Sequence, residues 1–174
     1  MDWVERIASA VSWESRDISI DWGDAERQLG AELPEDFKRF CSCFGAGKFS
    51  DYLEVYSSSA SGAFEVVEVL KDFHQISNEH PVVRKMYEPY GLFTPDRGGL
   101  IPWGVSETAV EYYWIGLSGG RPEGWNVGVR ERGGDLREYE MGMSEFVYGM
   151  LTDVNFGGFG IAELVPEPFY VPRY

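Results

Sequence analysis

The order of apolar patterns along the chain predicts an α+β fold, with N-terminal helices and a C-terminal helix packed on a mainly antiparallel sheet. Three observations carry this reading. Helical spacing dominates residues 2–79, four short strand-like runs separated by turn-rich segments occupy residues 100–140, and helical spacing returns over residues 144–151. Strands that follow one another so closely pair as an antiparallel meander.

Taken in order, Trp3, Val4, Ile7 and Val11 recur at offsets of three and four, a short amphipathic helix with Asp2 at its start. Ser12–Gly23 is a polar connection carrying Trp13, Ile20 and Trp22. Asp24 is placed to cap a brief helix through Leu29, with Gly30 as its left-handed stop. In Leu33-Pro34-Glu35-Asp36-Phe37, Pro34 suits a first helical position and the two acids complement the helix dipole. Phe37, Phe40, Cys41 and Phe44 then line one face, and Gly45 ends the helix; all three phenylalanines are expected to be buried. Tyr52–Tyr56 alternates as a strand, Ser57–Gly62 reads as a flexible polar loop, and Val66, Val69, Leu70, Phe73 and Ile76 give a helix that Pro81 closes. Val82–Gly99 looks irregular. Strands follow at Leu100–Trp103, Val110–Gly116, Trp125–Arg130 and Leu136–Glu140, with turns at Ser118-Gly119-Gly120 and Gly133-Gly134. Ser144 is the candidate cap of a final helix carrying Phe146, Val147, Met150 and Leu151, before a Gly-, Pro- and aromatic-rich tail from Asn155 to Tyr174.

A length of 174 residues fits one domain, 1–174, and an aromatic fraction of 16% argues for a packed core. Twenty-nine acidic against 15 basic residues leave a formal charge of -14, a field that repels phosphate backbones and attracts basic proteins. Nucleic acid is therefore not an expected partner. Solubility alone would also account for the acidity. The sequence has no apolar run long enough to span a membrane and no secretion-signal pattern at its start, so no membrane role is expected. Cys41 and Cys43, one residue apart on a helix, diverge; a reducing cytoplasm fits them.

Catalytic signatures are thin. The two histidines, His74 and His80, fall on opposing helix faces, the cysteines lack zinc-site spacing, and Glu35-Asp36 reads as helix-start acids. Gly157-Gly158-Phe159-Gly160 lacks the lysine and hydroxyl residue of a phosphate loop. The reading is a non-enzyme with no catalytic, cofactor or metal residues, whose melting temperature a strong chelator should leave unmoved. Ile101-Pro102-Trp103-Gly104, Tyr112-Tyr113-Trp114 and Trp125 stand out instead; alternation puts Tyr113 on one face and Tyr112 with Trp114 on the other, serving a core or an interface.

These residues resemble a family. Trp22, Leu29-Gly30, Leu33-Pro34, Asp36-Phe37-Lys38, Phe40, Phe44-Gly45 and Gly47, followed by Ile101-Pro102-Trp103-Gly104, Tyr113-Trp114, Trp125, Tyr139, Ser144 and Phe146, resemble the SUKH superfamily over Trp22–Leu151. That superfamily includes a fungal regulator of cell-wall synthesis and many bacterial immunity proteins. The resemblance implies an α+β fold without cofactor, in which Trp22, Leu33, Pro34, Phe37, Phe40, Phe44, Gly45, Pro102, Trp103, Gly104, Trp114 and Trp125 serve the fold. It further implies recognition of a cognate protein, among bacterial members often a nuclease- or deaminase-type toxin; a monomer or weak dimer is expected. A scaffold or signalling module, as in the fungal relative, is the alternative, and a small-molecule binder or enzyme using an aromatic pocket around Trp103, Trp114 and Trp125 a third. If a basic toxin is the partner, candidate contact residues are Asp51, Glu54, Glu107, Glu111, Glu138 and Glu140. Reversing Glu107 and Glu111 together is then expected to slow association without changing thermal stability.

Overall fold

Turn chemistry and a few aromatic anchors place the elements of the computed structural model, which describes residues 2–58, 64–119 and 121–173. Seven strands are described: β1 (Gly47–Phe49), β2 (Leu53–Val55), β3 (Gly99–Ser106), β4 (Glu111–Gly116), β5 (Asn126–Arg130), β6 (Leu136–Tyr139) and β7 (Tyr170–Pro172). They form one sheet in the order β6-β5-β4-β3-β2-β1-β7, antiparallel at every pairing. The helices are α1 (Trp3–Ala10), α2 (Gly23–Leu29), α3 (Glu35–Phe44), α4 (Glu65–Glu79), α5 (Pro81–Arg84) and α6 (Met143–Thr152), with a 3-10 turn at Lys85–Tyr87. The fold is α+β, as the sequence predicts.

The apolar face of α3 is the centre of the core. Phe37 stands edge-on to Trp114 at 4.9 Å, Phe40 meets Phe49 at 5.6 Å, and Phe44 meets Tyr170 at 5.1 Å. Phe37 and Phe44 are fully buried and Phe40 is 1% exposed, so the expected burial of all three holds. Helix α6 lies beside α3 on the same face of the sheet, with Phe146 against Trp103, Tyr112 and Tyr139, and α1 lies over both. A bulge between Pro102 and Gly104 in β3 keeps Trp103 on this helical face with Tyr112 and Trp114. Part of the other face, where Tyr113 points, is covered by α4 and the turn after it: Phe73 of α4 stacks on Tyr87, and Arg130 lies between Tyr87 and Tyr113.

Several local expectations need correction. Asp24 does not cap α2; the helix begins at Gly23, whose N–H donates to Asp21 at 3.0 Å, while Asp24 pairs with Arg27 and Gln28. Pro34 is the cap of α3 rather than its first helical residue, held extended at ψ 136. Pro81 ends α4 but also opens α5, so Val82–Gly99 is partly helical, because proline fits a first helical position. Ser57 and Ser58 are buried, Ser57 donating to the carbonyl of Gly45 at 2.7 Å; residues 59–63 of the expected loop, and Gly120 of the expected turn, lie outside the described residues.

Ser144 is not the cap of α6 either. The cap position is Gly142, and the carboxylate that meets the free N–H of Ser144 belongs to Asp36 of α3, at 3.0 Å. One acid of α3 thus ties the starts of two helices together. Replacing Asp36 by alanine is expected to cost about 1–2 kcal/mol, read as a lower midpoint in urea unfolding with an unchanged slope.

Strands β1 and β7 were not expected, and the tail is part of the core. Tyr170 inserts beside Phe44 and Phe49, with Trp13 at 4.8 Å, and donates to the carbonyl of Phe44 at 3.1 Å. Gly47 permits this approach, since a Cβ there would come within 2.2 Å of the Tyr170 hydroxyl. Val4, Ile7 and Val11 of the N-terminal segment join the same hydrophobic cluster.

Candidate partner-binding surface

Strand register puts one row of side chains across the face of the sheet turned away from α3 and α6. Leu136, Arg130, Glu111, Val105, Glu54, Lys48 and Val171 stand directly opposite one another on successive strands, and opposed residues share a face. Charge along the row is matched. Glu111 accepts from buried Arg130 at 2.5 Å and from the Tyr113 hydroxyl at 2.6 Å. Arg173, beyond β7, donates to Glu54 at 2.6 Å and also to Glu65, strapping the last strand to α4.

Arg130 is the residue that sequence reasoning missed. It is 4% exposed, bonded to Glu111, to the Tyr113 hydroxyl at 3.1 Å and to the carbonyl of Met86, and it lies over the ring of Tyr87 at 5.2 Å. Burial is the largest single influence and works against its charge, but hydrogen bonding to Glu111 together with the electrostatic attraction of Tyr113, Glu111 and Tyr87 outweighs it and holds the guanidinium above its ordinary pKa. Burial and then the Glu111 charge push the Tyr113 hydroxyl up. Tyr56 is pushed up to about 12, first by burial and then by the carboxylates of Glu111, Glu54 and Glu65. An arginine facing a glutamate across two strands is invisible until the register is known.

The six acidic candidates therefore divide. Glu54 and Glu111 are partly buried and paired within the fold, and Glu107, at the end of β3, pairs with Lys48 at 3.0 Å. Asp51, Glu138 and Glu140 are exposed and make no ion pair with a described residue; Glu138 accepts a hydrogen bond from Tyr90. They are not all together. Asp51 and Glu107 lie at the end of the sheet where β1 turns into β2 and β3 into β4, Glu138 is on edge strand β6, and Glu140 lies at the opposite end, beside the start of α6. The expected thermal neutrality of reversing Glu111 is corrected as well: a lysine there would face Arg130 across one strand pair.

Trp103 and Trp114 are fully buried and Trp125 is 4% exposed, so the core reading holds for these rings. Tyr112 and Tyr113 are fully buried on opposite faces, because both faces of β4 are covered. Trp22 packs on Phe37 and Phe64 at 5.6 and 5.7 Å; Leu33, Pro34, Gly45 and Pro102 are buried, and a Cβ on Gly104 would stand 2.9 Å from the carbonyl of Glu54. His74 bonds the carbonyl of Phe93 at 2.9 Å, His80 is exposed, and Cys41 and Cys43 are free, buried thiols whose pKa burial raises. Among the described residues no group of three His, Cys, Asp or Glu side chains is placed to hold a metal, and no helix is long and apolar enough to cross a membrane.

No protein-family model, curated protein or solved structure matches the chain.

Proposed function

We propose that this protein is a non-enzymatic binding domain that caps a basic partner protein, acting as an immunity protein against a cognate toxin of nuclease or deaminase type. The observation that carries the reading is the formal charge of -14, which keeps exposed, unpaired acids such as Asp51, Glu138 and Glu140 after Glu54, Glu107 and Glu111 are paired. An acidic surface accelerates encounter with a protein whose own surface is basic because it binds nucleic acid. The resemblance to SUKH proteins supports the choice of a toxin as that partner, and a cytoplasmic site of action follows from it.

The test is stopped-flow association with a basic protein encoded by the neighbouring gene, over a range of ionic strength. Association is expected to slow about tenfold or more from low to physiological salt. Asp51→Asn and Glu138→Gln, at exposed positions, remove the charge while keeping an acceptor, and report which part of the surface faces the partner: the variant at the contact loses rate and salt slope, with thermal stability unchanged. Binding with no salt dependence would remove the electrostatic basis of the reading. Partners confined to host proteins, with no toxin among them, would favour the scaffold alternative.

A further inference from the structure

Tyr170 of β7 turns into the core against Phe49, so alternation turns its neighbours Phe169 and Val171 outward; they are 38% and 47% exposed. Val171 stands opposite Lys48 on the far face of the sheet, at one of its two edges. Helix α4 packs on that face nearer the middle, over β3. Beside Val171 lies a recess of about 290 Å³, lined also by Lys48, Asp51, Glu54, Pro172 and Arg173.

Both cations at this corner are already matched. Lys48 pairs with Glu107 at 3.0 Å, and Arg173 with Glu54 at 2.6 Å and with Glu65. The hydrogen bond to Glu107, opposed by desolvation and joined by the charges of Glu107, Glu54 and Asp51, holds the Lys48 ammonium above its ordinary pKa. Four carboxylates thus surround two cations, and the corner is left with an excess of negative charge. A second exposed apolar group, Val82 of α5 and Met86 of the turn after it, differs in sign. Arg84 and Lys85 lie between its apolar residues, exposed, and neither forms an ion pair with a described residue. A basic protein meets like charge there and opposite charge beside β7.

We infer that the capped partner docks on Phe169 and Val171, bringing an aliphatic side chain flanked by lysine or arginine, with Asp51, Glu54 and Glu107 as the charged rim. An apolar centre inside a polar rim is the anatomy of a specific protein interface. The centre governs how slowly the complex dissociates, and the rim how fast it forms. The inference rests on the capping function proposed above, and it puts the contact at Asp51 rather than at Glu138, which lies on the other edge strand, β6.

The test uses the peptide N-acetyl-Arg-Leu-Arg amide, an aliphatic side chain between two cations, and follows backbone amide resonances of the full chain. Saturable shifts are expected at Asp51, Phe169 and Val171 and not at Val82 or Met86, with a dissociation constant on the order of 1 mM. N-acetyl-Glu-Leu-Glu amide is expected to move none of them. The double variant Phe169→Ser and Val171→Thr, at exposed positions, should weaken the constant about five- to tenfold, with the resonances of Phe37 and Trp114 unmoved to show that the core is intact. Asp51→Asn, which leaves the apolar pair untouched, should weaken it about two- to threefold. Absent shifts, equal shifts with the glutamate peptide, shifts gathered at Met86 instead, or an unchanged constant in both variants would each overturn the inference. A basic protein encoded by the neighbouring gene that leaves the double variant no faster than the wild type overturns it too, while capping stands. Peptide binding beside β7 with no such protein as partner leaves the surface assigned and defeats the capping function.

Discussion

Truncating Phe40 to alanine is expected to cost about 3–5 kcal/mol of unfolding free energy. The ring is 1% exposed and lies 4.9 Å from Phe44 and 5.6 Å from Phe49, at the point where α3 rests on β1. Removing it deletes transferred apolar surface and leaves a hole between rings that cannot close, since Phe44 is itself held by Tyr170 of β7. A loss of that size is a large part of the roughly 5–15 kcal/mol that stabilises a typical domain. Thermal unfolding should show it as a fall of about 10 °C in Tm. A fall of only a degree or two would mean that α3 is not the element on which the sheet is packed.

The second large effect belongs to Glu111. Replacing it with leucine is expected to destabilise the fold by about 3 kcal/mol, because Arg130 keeps its charge, buried, with the Tyr113 hydroxyl and the Met86 carbonyl as its remaining partners. Converting Arg130 to methionine alone leaves a carboxylate that is partly exposed and hydrates more easily, so the loss should be smaller. The double variant should recover much of the stability lost by Glu111→Leu, since removing both members of a buried pair is far less damaging than removing one. A double-mutant cycle from urea unfolding measures this. Strict additivity of the two single effects would show that the pair is not coupled.

The two sites differ in how much of them the sequence reveals. Helix α3 is legible because its signals are local: Pro34 and the acids mark a start, Gly45 marks a stop, and Phe37, Phe40 and Phe44 mark a face. The same holds for β4 and β5, where alternation and turn residues agree. Strands β1 and β7 hold three residues each and pair across most of the chain, so neither alternation nor a turn announces them. Asp2 caps α1 and Gly30 and Gly45 stop their helices as expected, but two of the side-chain caps do not hold. Asp24 and Ser144 have the right chemistry at nearly the right place, but Asp21 and Asp36 reach the free N–H groups first, and Asp36 does so from another helix. Pairing of charges is equally non-local. Glu54, Glu107 and Glu111 look as free in the sequence as Asp51 or Glu140 until Arg173, Lys48 and Arg130 are brought beside them. The tryptophans Trp103, Trp114 and Trp125 are readable as core, yet nothing in their spacing shows that their indole N–H groups find no hydrogen-bond partner among the described residues.

Capping and catalysis separate on stoichiometry. The most direct measurement is a titration of this protein into the toxic activity of a basic protein encoded beside it, with residual activity followed against molar ratio. Capping predicts a linear loss that reaches zero at one equivalent, with the partner recovered chemically intact when the complex is dissociated in denaturant. Full activity at several equivalents, or its abolition by a small fraction of an equivalent with the partner covalently altered, would contradict that account.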